Sequence, residues 1–226
     1  MASETTAVTS SQNINQLIEQ GDWAEVVTRF KIPLIALFVI IVGSVVGWGI
    51  YNSKSNEMRA HMDDKLFQYD RDFLSPLSSK KVEAVAAIEA FQKLKVELKN
   101  YQGLNALGIR LADVLEAQGI KEQARPVIED VFKNSDSAYI RGLAGMRLAV
   151  LLENLGDLDG AEKVLLQLAS EKVKLMEPKT YLDLGRIALL KGDQVKAREH
   201  FQYVLDNTQE QEFLRMARLY ISQLAN

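Results

Sequence analysis

The chain has 226 residues, which is enough for one ordinary domain and an appendage. Its 27 basic and 30 acidic residues give a formal net charge of −3, and no basic stripe of the kind that binds nucleic acid is present. The sequence contains no cysteine, which excludes disulfides, thiolate metal sites and a cysteine nucleophile.

Residues 1–31 are predicted to form an N-terminal tail. Its first part is rich in Ser, Thr, Gln and Asn without apolar periodicity, which is typical of disorder. Apolar residues then recur at helical spacing in two groups on either side of Gly21-Asp22, namely Ile14, Leu17 and Ile18, and Trp23, Val26, Val27 and Phe30. These groups predict two short amphipathic helices that lie on the membrane face or against a partner, or merely pack at the bilayer surface.

Residues 32–53 form a continuous apolar stretch between Lys31 and Lys54, read as IPLIALFVIIVGSVVGWGIYNS. A helix of that length spans roughly the 30 Å of a bilayer core. A buried helix of a soluble domain and a cleavable signal peptide are the alternatives. The stretch has no charged face, lies well inside the chain and is followed by no small-residue cleavage site, so a retained transmembrane helix is predicted.

Within this stretch, Gly43 and Gly47 form a G-x-x-x-G pair, which allows close approach of another membrane helix. The alternative is that glycine is simply common in membrane spans. The flanking charges balance, with Arg29 and Lys31 on one side and Lys54 and Arg59 on the other. The residues alone therefore leave the topology of the span open.

The remaining chain, residues 54–226, shows helical patterns that repeat. Gly119, Gly156 and Gly192 mark breaks 37 and 36 residues apart, a period typical of stacked helix-turn-helix units. Three segments follow the tetratricopeptide pattern in which Leu precedes a small residue and, later, Ala stands four residues before a large apolar residue: Gly108 to Ile128, Gly145 to Leu165 and Tyr181 to Phe201. Only the last of them begins with a large residue, as the full pattern has it. The small residues are predicted to let the two helices of a repeat approach closely.

A further, degenerate repeat is predicted upstream, with a helix at about residues 80–99 and a partner helix at 55–73 that ends at a break at Ser75-Pro76. At the other end, a capping helix is predicted from Phe213, Met216, Ala217, Tyr220 and Leu224. The fold class is therefore all-α: one N-terminal transmembrane helix, then a tetratricopeptide-repeat-like α-solenoid of three to four repeats with a C-terminal capping helix. A generic helical bundle is the alternative.

No catalytic motif, metal-ligand cluster or cofactor fingerprint occurs, and the two histidines, His61 and His200, are far apart in the sequence. The sequence predicts no enzyme, no cofactor and no metal site, but a surface for protein partners. Repeats of this kind bind partners on a concave face lined by the first helix of each repeat. The residues predicted on that face are Ile109, Asp113, Glu116, Leu143, Met146, Val150, Glu153, Lys179, Leu182 and Arg186.

One span followed directly by a small repeat domain, with GWGIYNSKS leaving the membrane and ALLKGDQVKAREHF in the last repeat, resembles the YfgM-like family over residues 31–222. The resemblance implies an ancillary subunit of the bacterial SecYEG translocon that passes secreted proteins to periplasmic chaperones. It also implies an inner-membrane protein with a cytoplasmic N-terminus and periplasmic repeats. The longer N-terminal segment with Trp23 departs from the family and leaves residues 1–30 without an assigned role.

Two other functions stay open on the residues alone. The first is a membrane-anchored repeat adaptor in cell-envelope assembly or division, and the second is an anchored adaptor that faces the cytoplasm, for which the balanced flanking charges leave room. A role as an accessory to an enzyme ranks behind both.

Overall fold

The computed structural model describes the backbone of residues 23–99, 101–174 and 176–224, and the side chains of these residues from Ile35 onward. All of its regular elements within these ranges are helical. The chain divides into two compact units, one extending to Ala60 and the other comprising residues 61–226. The predicted helix around Ile14, Leu17 and Ile18 lies outside the described residues.

The first helix, α1, spans Trp23–Tyr69. The prediction of a separate short helix that begins at Trp23 is therefore wrong. Trp23 begins α1 itself, since no turn-forming residue separates its group of apolar residues from the apolar stretch. Every side chain from Ile35 to Lys54 is exposed. By length and composition, this apolar part of α1 qualifies as one candidate membrane-spanning helix.

The predicted break at Ser75-Pro76 is wrong. A π-helical turn, Asp70–Leu74, follows α1 directly, and a short helix, α2, continues over Ser75–Ser78. Pro76 lies in the first turn of α2, where its missing N–H is tolerated. The helical run therefore ends only at Ser79, where the backbone leaves helical geometry.

Eight further helices form the repeat region: α3 Ala84–Leu98, α4 Gly103–Ala117, α5 Lys121–Asn134, α6 Ala138–Asn154, α7 Leu158–Ser170, α8 Glu177–Leu190, α9 Gln194–Asn207 and α10 Gln211–Gln223. Neighbouring helices pack in sequence from α4 to α10. We name α4 with α5 repeat 1, α6 with α7 repeat 2, and α8 with α9 repeat 3. The three predicted repeats are confirmed, and α3 agrees with the predicted upstream helix.

The first helix of each repeat ends in the same way. Gly119, Gly156 and Gly192 adopt φ of +80°, +79° and +80°, a left-handed conformation that costs glycine little because it has no Cβ. Each glycine closes a turn in which the next N–H donates to a carbonyl five residues earlier, as from Asp157 N to Leu152 O at 2.8 Å and from Asp193 N to Ala188 O at 2.9 Å. Both aspartates then cap the following helix through a side-chain oxygen. The Gly-Asp pairs thus end one helix and begin the next.

Small residues in the first helices allow close packing, as predicted. A Cβ at Gly185 would overlap the ring of Phe201, which is fully buried in α9. The same ring stacks on Tyr220 of α10, with centroids 4.7 Å apart and planes 6° apart. Ala217 of α10 is also fully buried. Helix α10 therefore covers the last repeat, as the prediction of a capping helix requires.

Candidate partner-binding surface

The ten residues predicted on the concave partner-binding face all belong to the first helix of a repeat, α4, α6 or α8, and none belongs to a second helix. Three of the apolar ones, Ile109, Met146 and Leu182, lie in the core with 5%, 6% and 6% of their surface exposed. They offer little area to a partner, and their role in packing is clear from their burial. Leu143 is half-buried and Val150 is 39% exposed, so these two remain available for contact.

The charged residues on these helices pair with each other between repeats. Asp113 of α4 meets Arg147 of α6 at 3.1 Å, and Arg186 of α8 donates to Glu153 of α6. Asp70, in the π-helical turn, pairs in the same way with Arg110 of α4 at 2.8 Å. An acid on one first helix is thus matched to an arginine on the following one. We call this series of contacts the arginine ladder.

Two neighbouring contacts extend the arginine ladder. Asn154 of α6 donates to Glu116 of α4 at 2.9 Å, and Lys179 pairs with Asp183 within α8 at 2.8 Å. Each of the charged residues predicted on the partner-binding face therefore has a contact inside the chain. A partner that binds these charges has to compete with those contacts.

Burial raises the pKa of Asp113, and the opposing charge of Arg147 counteracts this effect only in part. The hydrogen bond with Glu153 raises the pKa of the Arg186 guanidinium. Because these pairs are partly exposed, each contributes only about 0–1 kcal/mol to stability.

Sequence reasoning missed the arginine ladder, although the sequence carried a signal for it. Asp113 and Arg147 are 34 residues apart and Glu153 and Arg186 are 33 apart, in each case three fewer than the corresponding glycine spacings of 37 and 36 residues. Each arginine therefore lies about one helical turn closer to the start of its helix than its acidic partner does in the preceding repeat. From the sequence, these acids and arginines are predicted to face a partner, because their spacing alone does not show that each acid and its arginine point toward each other.

The two glycines predicted to contact another membrane helix are open to their surroundings. Apart from the backbone of the adjacent turns of α1, a Cβ added at Gly43 or at Gly47 would meet no atom of the described residues within 4 Å. The hydroxyl of Ser44, on the same helix, donates to the carbonyl of Ile40 at 2.7 Å and so is satisfied within α1. Within the part of the chain that the structure describes, no side-chain contact accounts for either glycine.

The two histidines are separate. His61 is exposed, whereas His200 is half-buried beside Tyr181, with ring centroids 5.9 Å apart. Burial lowers the pKa of His200. Among the side chains that the structure describes, no group of three or more histidines and carboxylates is placed to hold a metal ion.

The paired helices and their packing define the class: a helical-repeat protein of the tetratricopeptide type, a fold that typically serves as a non-catalytic scaffold for protein interactions. A family profile described as the tetratricopeptide repeat-like domain matches residues 28–226. The chain belongs to this family. This match does not confirm the more specific resemblance to the YfgM-like family.

No curated protein sequence matches the chain significantly. Among solved structures, it is similar to PilF of Pseudomonas aeruginosa, at 17% identity and a TM-score of 0.46 over 73% of this chain and 77% of that chain. It is also similar to tetratricopeptide-like repeats of a Podosopora anserina protein described as a kinesin light chain, at 15% identity and a TM-score of 0.47 over 72% of this chain and 96% of that chain.

Proposed function

We propose that the chain is a membrane-anchored scaffold for protein interactions, with residues 32–53 as the anchor and residues 54–226 as the binding domain. The observation that carries the proposal is the uncovered apolar part of α1. Its side chains from Ile35 to Lys54 are all exposed, and no other part of the described chain covers them. Water would make such exposure costly, at about 25 cal/mol per Å² of apolar surface, whereas a bilayer removes that cost.

We further propose that the protein works beside the bacterial SecYEG translocon and helps pass secreted proteins to periplasmic chaperones. The resemblance of residues 31–222 to the YfgM-like family supports this finer assignment. In this assignment the anchor lies in the inner membrane, with the N-terminus in the cytoplasm and the repeats in the periplasm. The open surface at Gly43 and Gly47 supports a contact between the anchor and another membrane helix.

In this proposal the anchor holds the repeat domain near the place where chains emerge, and the first helices of the repeats supply the surface that binds a partner. Leu143 and Val150 offer apolar contacts there, and the arginine ladder links the three first helices, which pack within the repeat domain. A partner can bind such a surface without first ordering it, which lowers the entropic cost of binding.

Photo-crosslinking in native membranes tests the proposed partner. A photoreactive residue at Gly47 should capture a translocon subunit, whereas one at Val45, which points to a different side of α1, should capture it much less. Val45 is 66% exposed, so it is a matched control for access. Capture of a cell-envelope assembly or division protein from Gly47, with no translocon subunit, would contradict the translocon assignment and favour the alternative adaptor.

A further inference from the structure

The connection between repeats 2 and 3 differs from the other connections that follow a second helix. Residues 135–137 join α5 to α6, and residues 208–210 join α9 to α10, but residues 171–176 join α7 to α8. Among the described residues of this longer connection, the apolar side chains of Val173 and Met176 are exposed, at 54% and 47%. Met176 also adopts φ of 75°, a left-handed conformation that is strained for a side chain with a Cβ.

Next to this connection lies a cavity of about 130 Å³. It opens between the start of α6, the end of α7 and the start of α8. Its inner wall is apolar and includes Leu143, Met146 and Leu168, while Tyr139 and Val173 lie at its border. Tyr139 is 61% exposed, so apolar surface continues from the cavity onto the outside of the domain.

Two ion pairs stand at the edge of the cavity. Arg141 donates two hydrogen bonds to Glu171, at 2.7 and 3.0 Å, and Lys174 pairs with Glu177 at 2.6 Å. Each of these charges already has an opposite charge inside the chain, so the edge is electrically balanced. A charged group that entered the cavity would lose its hydration without gaining a partner, whereas an uncharged apolar group would lose nothing.

We propose that this cavity receives one uncharged apolar side chain, of phenylalanine size or smaller, from an extended segment of a partner polypeptide. The volume supports this occupant, because an apolar protein cavity of roughly 150 Å³ remains dry and binds benzene. The exposed side chains of Tyr139 and Val173 then flank the polypeptide that carries the ring. This proposal rests on the proposed function in one respect, namely that the partner polypeptide is a secreted protein that the scaffold helps to pass on.

Methionine methyl NMR of the full chain in lipid nanodiscs tests this proposal, because Met146 and Met176 line the cavity. The probes are short, water-soluble peptides of glycine and serine with one central residue: phenylalanine, serine or glutamate. The phenylalanine peptide should shift the methyl signals of Met146 and Met176 and saturate. The signals of Met58, Met62 and Met216, which lie elsewhere in the chain, should stay in place. The serine and glutamate peptides should leave all five signals unchanged.

A cavity-filling variant provides the second arm. Ala169 borders the cavity, so Ala169→Leu should abolish the shifts at Met146 and Met176. A second pair of variants, at exposed positions where folding is less affected, separates loss of binding from a folding defect. Val173→Ser should weaken binding several-fold, whereas Val195→Ser should not change it. Val195 is 70% exposed on α9 and lies away from the cavity. Both serine variants remove the same apolar side chain from an exposed position.

The proposal is overturned if the phenylalanine peptide leaves Met146 and Met176 unmoved, if the serine peptide moves them equally, or if the shifts persist in Ala169→Leu. It is equally overturned if Val173→Ser and Val195→Ser bind alike. Binding should not change with salt, because the cavity offers no unpaired charge. The crosslink from Gly47 plays no part in this titration, so the cavity proposal and the translocon proposal can fail independently.

Discussion

Replacing Phe201 with alanine should strongly destabilise the repeat domain, because this ring joins repeat 3 to the capping helix. Phe201 is fully buried, fits against Gly185 and stacks on Tyr220. A buried phenylalanine removes about 150–250 Å² from water, which at about 25 cal/mol per Å² corresponds to roughly 4–6 kcal/mol. Measured Phe→Ala changes in protein cores cost about 3–5 kcal/mol, so a loss of about 4 kcal/mol is expected.

Thermal unfolding followed by circular dichroism at a helix wavelength measures this loss. For a domain of this size, about 2–4 °C of Tm is lost per kcal/mol, so Phe201→Ala should lower Tm by about 8–16 °C. The exposed Val195→Ser change, on the same helix, is the control and should leave Tm nearly unchanged. A fall of less than about 3 °C for Phe201→Ala would refute the packing argument.

A double-mutant cycle sharpens the same prediction. In the natural chain, Gly185→Ala forces its Cβ into the ring of Phe201, an overpacking that costs about 1–3 kcal/mol and outweighs the gain of about 1 kcal/mol from helix propensity. In the Phe201→Ala background the clash is gone, so Gly185→Ala should become stabilising by up to about 1 kcal/mol. Additive effects of the two changes would contradict direct contact between the two residues.

The remaining predictions each concern a single group. Gly156→Ala should lower the free energy of unfolding by about 1–2 kcal/mol, measured by urea denaturation, because alanine is strained at φ of +79°. Hydrogen bonds from Lys174 and Tyr203 hold the pKa of Glu177 below its usual range. The Glu177 carboxylate therefore stabilises the fold above its unfolded-state pKa of about 4.3, and this stabilisation is lost as pH falls through the folded-state pKa. Between about pH 5 and pH 3, the Tm of Glu177→Gln should therefore fall less than the Tm of the natural chain. The contact with Glu177 also raises the pKa of Tyr203 to about 12, and NMR titration should show this value falling in Glu177→Gln. The ring protons of His200 should titrate below the ordinary histidine pKa, because burial disfavours the imidazolium, and titration at or above the ordinary value would contradict that burial.

The repeat architecture was largely readable from the sequence because local chemistry fixes it. Gly119, Gly156 and Gly192 occupy left-handed turns at nearly equal spacing, and Gly185 is small because Phe201 packs against it. Such constraints act over a few residues or over one repeat, and a spacing rule captures both. The capping helix was predictable for the same reason, since a terminal repeat needs a cover for its core face.

Other features required the three-dimensional structure. Ser75-Pro76 suggested a break, yet a π-helical turn before it places Pro76 at a helix start. The sequence suggested that Asp113 and Arg186 are available to a partner protein. In the structure Asp113 pairs with Arg147 and Arg186 pairs with Glu153, each on a neighbouring first helix. Such pairs depend on how side chains of different helices converge, which the sequence does not show. The cavity beside residues 171–176 also depends on a longer connection whose path is not set by periodicity.

The most direct test of the membrane-anchored arrangement is a cysteine-accessibility experiment in intact spheroplasts. Because the chain has no cysteine of its own, any labelling of the protein reports on the single introduced cysteine. Single cysteines at Ile41 and Val45 report on the anchor, and one at the exposed Gln209 reports on the repeat domain. A water-soluble, membrane-impermeant maleimide should label Gln209→Cys in intact spheroplasts and leave Ile41→Cys and Val45→Cys unlabelled even after lysis. Labelling of the anchor positions as readily as Gln209→Cys would contradict the membrane span, and labelling of Gln209→Cys only after lysis would contradict the periplasmic placement of the repeats.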